Sequence, residues 1–295
     1  MRRLVLLALV GLAAQLIDGS LGMGYGVTSA TLLVAAGIGP AAASAAIHFS
    51  EIGVSLVSGF SHHKLGNTDW RTVSVLALPG FVGAFAGATL LVNLDTEIAV
   101  PVVAGLLIAL GTYVTWRFLS PQRLRFGARP RARFLAPLGL FAGGLDAVGG
   151  GGWGPVGTSS LLASGRLEPR KVVGSVDTAE FVVAVGGSLG FLVGLGAQGI
   201  EWGFVLALML GGVVAAPIAA VLVRHLPARV LGVAAGGLIV LTNLKTLADW
   251  AEASGVTEGL LASLVFTLWV LWTSWAVKLE QGAVPAARTR APVGA

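Results

Sequence analysis

Long apolar stretches separated by short polar punctuation run through almost the whole chain. In the first half they cover Leu4 to Ala36, Ala41 to Phe60, Val73 to Val92 and Ile98 to Leu119. The second half has Phe134 to Ala163, Lys171 to Leu195, Trp202 to Val223 and Val230 to Leu247, followed by an unmatched ninth stretch, Gly259 to Val277. Most have the roughly 20 residues that a membrane-spanning helix needs. The first stretch of each half is longer, and a glycine run carrying an aspartate interrupts it where helix propensity is poorest. Two arms of about ten to fourteen residues remain, about 15 to 21 Å each at the helical rise. Such a segment can be a re-entrant hairpin with its tip at the midplane, or one broken helix that crosses.

The two halves are related. With Asp18 set on Asp146, Gly22 falls on Gly150, Gly24 on Gly152, Tyr25 on Trp153 and Gly26 on Gly154. After one inserted residue Pro40 meets Pro169 and Glu51 meets Glu180; after a further insertion Trp70 meets Trp202 and Gly105 meets Gly237. Order kept over that span points to duplication. The predicted organisation is one all-α membrane domain, 1–295. It comprises a first repeat (1–119), a basic linker (120–133), a second repeat (134–250), an additional C-terminal transmembrane helix (256–278) and a tail (279–295).

Composition makes lipid the solvent: 55% of residues are hydrophobic and 11% charged, against about 25% charged in soluble domains. Without cysteine there are no disulfides or thiolate metal sites. The net charge of +5 comes largely from Arg117, Arg123, Arg125, Arg129, Arg131 and Arg133, which look like a cytoplasmic loop and carry no aromatic-interleaved nucleic-acid surface. The N-terminal stretch resembles a signal peptide, but the same apolar run precedes the same motif at Phe134 to Leu145, so it reads as part of the repeated unit.

Positive charge also sets orientation. If all nine segments cross, lysines and arginines divide almost evenly between the two sides. If both glycine-broken segments are re-entrant, only Arg2, Arg3 and Lys245 lie outside. The second arrangement is favoured: two inverted-topology repeats, each a broken hairpin plus three spanning helices, with one extra C-terminal helix. That is a plan of secondary transporters, and aquaporin-like channels share its hairpins.

Two groups of residues could carry chemistry. At the breaks, Gly24, Tyr25, Gly26, Gly152, Trp153 and Gly154 start helices whose free amides and positive dipole ends favour an anion. Hydroxyls on Thr28, Ser29, Thr31, Thr158, Ser159 and Ser160 lie close in sequence, so the two tips together predict a neutral substrate cradle; the plainer alternative is tight helix packing. The second group is intramembrane and ionisable, which marks a cavity or a partner. Glu51 and Glu180 occupy equivalent positions, and His48 and Asp177 precede them by three residues on the same helical face. These four are candidates for proton coupling, or they hold the broken backbone. Asp18 and Asp146 suit that supporting, capping role. His62 and His63, beside Lys64, read as solvated loop residues rather than a metal site, and no cofactor or metal is predicted. Trp70, Trp202, Trp250 and Trp275 read as interfacial anchors. Ser20 followed by His48 is too thin a motif for a hydrolase, since Val148 replaces Ser20 in the other half.

Asp18-Gly19 with Gly22, Gly24 and Gly26, repeated as Asp146 with Gly149 to Gly152 and Gly154, resembles the TauE/SafE family of sulfite and organosulfonate transporters. The likeness extends from Leu4 to about Trp250; Ala147 departs from it by standing where the first half has Gly19. The resemblance implies a secondary carrier in the bacterial plasma (inner) membrane. Its substrate would be a small anion such as sulfite, sulfoacetate or another sulfonate, with the lipid bilayer as the other partner and no nucleic acid. The acidic midplane keeps a cation or metal-ion transporter open as the alternative, and the hairpin plan shared with channels keeps an anion channel open.

Overall fold

The computed structural model describes residues 2–120, 130–164, 166–222, 228–252 and 255–288. Each apolar stretch becomes helix, and the stops are local. Proline at the first helical turn, where its missing N–H costs nothing, opens both α3 (Pro40–Lys64) and α8 (Pro169–Leu195). The Asp69 side chain accepts from the Thr72 amide at 2.9 Å and starts α4 (Trp70–Val92). The first stretch is split into α1 (Arg2–Leu21) and α2 (Tyr25–Ala35). In the second half, α6 (Ala132–Gly149) is followed by a π-helical turn over Trp153–Thr158 and then α7 (Ser159–Ser164). The remaining helices are α5 (Thr96–Leu119), α9 (Trp202–Leu222), α10 (Ala228–Trp250) and α11 (Gly255–Arg288). No strand occurs among the described residues.

The two arms of each broken segment are unequal, where the sequence suggested similar lengths. α1 has 20 residues and α2 has 11, about 30 and 16 Å of helix. Gly19 does not interrupt α1, because it packs against Ala219 of α9 and stays helical; the turn waits for Gly22 and Gly24, both at positive φ. Among the described residues, seven helices are long and apolar enough to cross a membrane: α1, α3, α4, α5, α8, α9 and α11. The number agrees with the expected seven spans, but α1 is included and α10, built from the Val230 to Leu247 segment, is not. At the C-terminal end α11 continues to Arg288, so the expected tail begins as helix; residues 289–295 and 121–129 lie outside the described residues. Arg117 belongs to the last turn of α5 and is buried, rather than to the linker. Arg123, Arg125 and Arg129 fall outside the described residues.

Burial is reversed relative to a soluble protein. Leu78, Val82 and Leu90 of α4 and Leu206, Leu210 and Val214 of α9 face outward, whereas Asp18, His48, Glu51, Asp146, Asp177 and Glu180 are inside. Small residues bring the inner helices together. α1 runs along α9 in the same direction, with Leu4 beside Gly203, Gly11 against Leu208 and Gly19 against Ala219. α6 runs along α4 in the same way, Gly139 against Leu76 and Gly143 against Gly80. Each broken segment is thus backed by a helix of the other half. α3 and α8, equivalent in sequence, cross antiparallel: His48 meets Gly187, Ser55 meets Glu180 and Ser58 meets Asp177. α5 and α10 are antiparallel too, from Trp250 at the Glu97 carbonyl to Thr115 against Gly236.

Candidate functional site

The two breaks touch. Gly26 lies against Gly150 and Gly151, and Gly154 against Gly22 and Met23. At Gly151 the approach is so close that a Cβ would collide with the Val27 backbone. The Thr158 hydroxyl donates to the Gly22 carbonyl across the contact. Gly24, which precedes α2, has φ of 137°, a conformation that side chains oppose, and a Cβ there would also reach Ile17 at 2.9 Å.

The amides that open the returning arms, which the sequence suggested were free for a ligand, are held in part by the aspartates. Asp146 Oδ1 accepts from the Gly152 and Trp153 amides at 2.8 and 2.9 Å, and Asp18 Oδ1 from the Tyr25 amide at 3.4 Å. Several other tip groups are also engaged. The Tyr25 hydroxyl bonds Ser50 Oγ at 2.9 Å, Trp153 Nε1 donates to the Val176 carbonyl at 3.0 Å, and Thr31 Oγ1 accepts from Asn243 at 2.8 Å. Thr28 and Ser29 are buried, and Ser29 Oγ has no hydrogen-bond partner. The Ser159 side chain lies outside what the structure describes.

Flanking the tips are two clusters that exchange members between the halves. His48 and Glu51 of α3 meet Asp146 of α6; Asp177 and Glu180 of α8 meet Asp18 of α1. Within each cluster one ligand atom from each residue, a His48 nitrogen or a carboxylate oxygen, lies within 4.8 Å of the others. The clusters correspond position by position, since Asp18, His48 and Glu51 are equivalent to Asp146, Asp177 and Glu180. Their surroundings differ. His48 Nε2 stands 3.3 Å from Asp146 Oδ2, and its Nδ1 lies 2.9 Å from the Ser44 carbonyl. Glu51 is 1% exposed, and neither of its carboxylate oxygens has a hydrogen-bond partner. In the other cluster Ser55 donates to Glu180 Oε2 at 3.1 Å, Ser58 donates to Asp177 Oδ2, and His62 Nε2 stands 3.2 Å from the same oxygen.

His62 corrects the sequence reading. α3 continues past Phe60 to Lys64, so His62 is 0% exposed and faces inward, while His63 points outward and meets the Trp70 ring edge-on. The pattern that would have found it is the spacing of Glu51, Ser55, Ser58 and His62, a polar stripe at four-, three- and four-residue steps along one helix face. Ser55 and Ser58 were missed for the same reason, and Gln15, whose Nε2 is 3.4 Å from Ser58 Oγ, is a tertiary neighbour with no sequence signal. Ser20 bonds back to the Leu16 carbonyl at 2.6 Å within its own helix. The segments that build the clusters, residues 4–63, 134–165 and 172–223, contain no lysine or arginine.

Residues 7–246 match the family model described as sulfite exporter TauE/SafE. The chain is also 46% identical over 273 residues to a protein of Bacillus subtilis (strain 168) described as "Probable membrane transporter protein YtnM", covering 92% of this chain and 91% of the relative. No solved structure matches.

Proposed function

The chain belongs to the TauE/SafE family of membrane transporters, and on that footing we propose that it is a secondary carrier of a small oxyanion, sulfite or a small organosulfonate, moved together with protons. It would act in the bacterial plasma membrane, as two inverted repeats with the basic linker on the cytoplasmic side. The antiparallel crossings of α3 with α8 and of α5 with α10 support the inversion. The substrate would lie where the breaks meet, near Gly24, Tyr25, Gly26, Thr28 and Ser29 on one side and Gly152, Trp153, Gly154, Thr158 and Ser159 on the other. Ser29 has the hydroxyl with no protein partner, whereas Thr158 is committed to the opposing break. Asp18 and Asp146 would keep the breaks open.

The observation that carries the coupling is five buried carboxylates, Asp18, Glu51, Asp146, Asp177 and Glu180, beside the meeting point with no lysine or arginine in the segments that supply them. Like charges about 5 Å apart at an effective dielectric near 20 repel by roughly 3 kcal/mol. An anion next to several ionised carboxylates would therefore be expelled. It binds only where protons neutralise the acids or imidazolium balances them, so each binding event raises the affinity for the other ligand. His48, Glu51, Asp177 and Glu180 are the proposed proton carriers.

The same acids favour a second reading, a cation carrier, and one experiment separates the two. In proteoliposomes, radiolabelled sulfite or sulfoacetate should accumulate when the anion's side is made acidic, and divalent cations should not. Cation flux abolished by Glu51→Gln, with no anion flux in the wild type, would reverse the assignment. Accessibility labelling that found Lys64 and Arg166 on opposite faces would remove the inverted arrangement.

A further inference from the structure

Duplication gives each half the same helix, α3 or α8, yet only one of the two carries a polar chain, with a histidine at its outer end, from that end to the centre. On α3 the sequence from the helix end inward is His62, Ser58, Ser55, Glu51; the equivalent residues on α8 are Phe191, Gly187, Ala184 and Glu180. His62 is buried between two polar partners. Its Nδ1 is 3.2 Å from Asn67 Nδ2 in the loop that follows α3, and its Nε2 is 3.2 Å from Asp177 Oδ2. Beyond Asp177 lie Ser58, which donates to it, and the Asp18 and Glu180 carboxylates of the same cluster. The loop end opens toward exposed residues, His63 and Lys64 on the last turn of α3 and Arg71 on the first turn of α4.

Among the described residues nothing equivalent leads in from the other end. There Phe191 is fully buried with its ring edge-on to His48 at 5.6 Å, and Gly187 packs on the His48 ring. Between His48 and the opposite ends of the two helices, residues 40–47 and 188–195 include no ionisable side chain.

We infer that His62 is the proton relay between one membrane face, the basic one, and the central carboxylates, and that the replacement of its equivalent by Phe191 closes the matching route from the other face. The inference rests on the proton-coupled reading above. In the step, a proton from water at the 65–69 loop adds to Nδ1, and the Nε2 proton passes to the Asp177 carboxylate. The neutral Nδ1–H tautomer that remains is matched by Asn67 Oδ1, which has no hydrogen-bond partner as placed and reaches Nδ1 by rotation of the amide. The starting tautomer is restored when the ring proton migrates from Nδ1 to Nε2, by turning of the imidazole or through water, and the amide rotates back with it. Ionisable groups on the elements around His62 are Arg170, Lys171, Asp177 and Glu180 on α8, Arg2, Arg3 and Asp18 on α1, Tyr25 on α2, Arg133 and Asp146 on α6, Asp69 and Arg71 at the start of α4, Glu97, Tyr113 and Arg117 on α5, and His48, Glu51, His63 and Lys64 on α3 itself; α9 brings none.

The test uses the full chain in liposomes of defined orientation with a trapped pH dye. Sulfite and sulfoacetate are the probes, and net proton movement is compared with anion-for-anion counterflow at equal pH. His62→Gln, which keeps a hydrogen-bonding side chain that does not titrate, should slow coupled proton movement by about tenfold or more, within the range general acid–base groups supply, while counterflow stays within about twofold. His63→Ala should alter neither. If His62→Gln leaves coupled movement at the wild-type rate, or lowers counterflow equally, the relay is wrong while the coupled carrier stands. Wild-type anion flux without proton movement, or no flux of either probe, overturns the coupled reading and the relay with it.

Discussion

The clusters His48–Glu51–Asp146 and Asp177–Glu180–Asp18 began as the same three positions, and they now differ in how firmly the protein grips each acid. Asp146 holds two amides at hydrogen-bonding distance, whereas Asp18 holds one at 3.4 Å. Glu180 has the Ser55 hydroxyl, whereas Glu51 has no hydrogen bond at all. A buried acid with no partner contributes nothing to stability in its ionised form, because desolvation is uncompensated. The contrast fits the roles proposed above, Asp146 as a support for its break and Glu51 as a group kept for exchange.

The most severe way to break the comparison is to separate the clusters. Gly151→Val places a side chain into the Val27 backbone; overpacking costs typically about 1–3 kcal/mol and more where backbone must move. Transport should be lost and the detergent-solubilised protein should melt far lower. Gly39→Ala, where nothing lies within 4 Å, is the silent control. Next, Asp146→Ala should destabilise by about 3–6 kcal/mol, from two charge-assisted bonds of about 1.5–3 kcal/mol each, and Asp18→Ala by clearly less. Equal losses in thermal denaturation would erase the proposed asymmetry. Glu51→Gln removes no hydrogen bond, so stability should hold or rise while flux driven by a pH step falls about tenfold, a change of about 1.4 kcal/mol in barrier. In the wild type that flux should quicken as the anion's side is acidified. A Glu51→Gln protein with unchanged pH response would assign coupling to the other cluster alone. The smallest effect is expected from Ser55→Ala, about 1 kcal/mol for one hydrogen bond, read as a melting shift that Glu180→Gln does not enlarge.

Helix positions were readable because apolar runs in lipid have few alternatives. The break was readable too, from Gly22, Gly24 and their equivalents, but its place was not. Gly19 stays helical only because Ala219, 200 positions on, fits against it. Duplication identified Asp18, His48, Glu51, Asp146, Asp177 and Glu180 as special without telling which meets which. The pairing depends on α1 lying along α9 and α6 along α4, and that is tertiary. His62 was misread because His63 and Lys64 next to it are polar, and neighbours in sequence face different ways on a helix. The π-helical turn at Trp153–Thr158 had no sequence warning beyond Pro155, whose equivalent in α2 is Val27.

Because each of the two triads draws one aspartate from the broken segment of one half and its remaining two groups from the other half, a severed half would own only fragments of each. In the inverted arrangement proposed above, a chain of half this length could complete such a centre only by embracing a second copy lying the opposite way. On that reading, joining the copies end to end ends the mutual dependence on sameness. In one fused chain a histidine at one position does not oblige a histidine at its twin, and left and right are free to specialise.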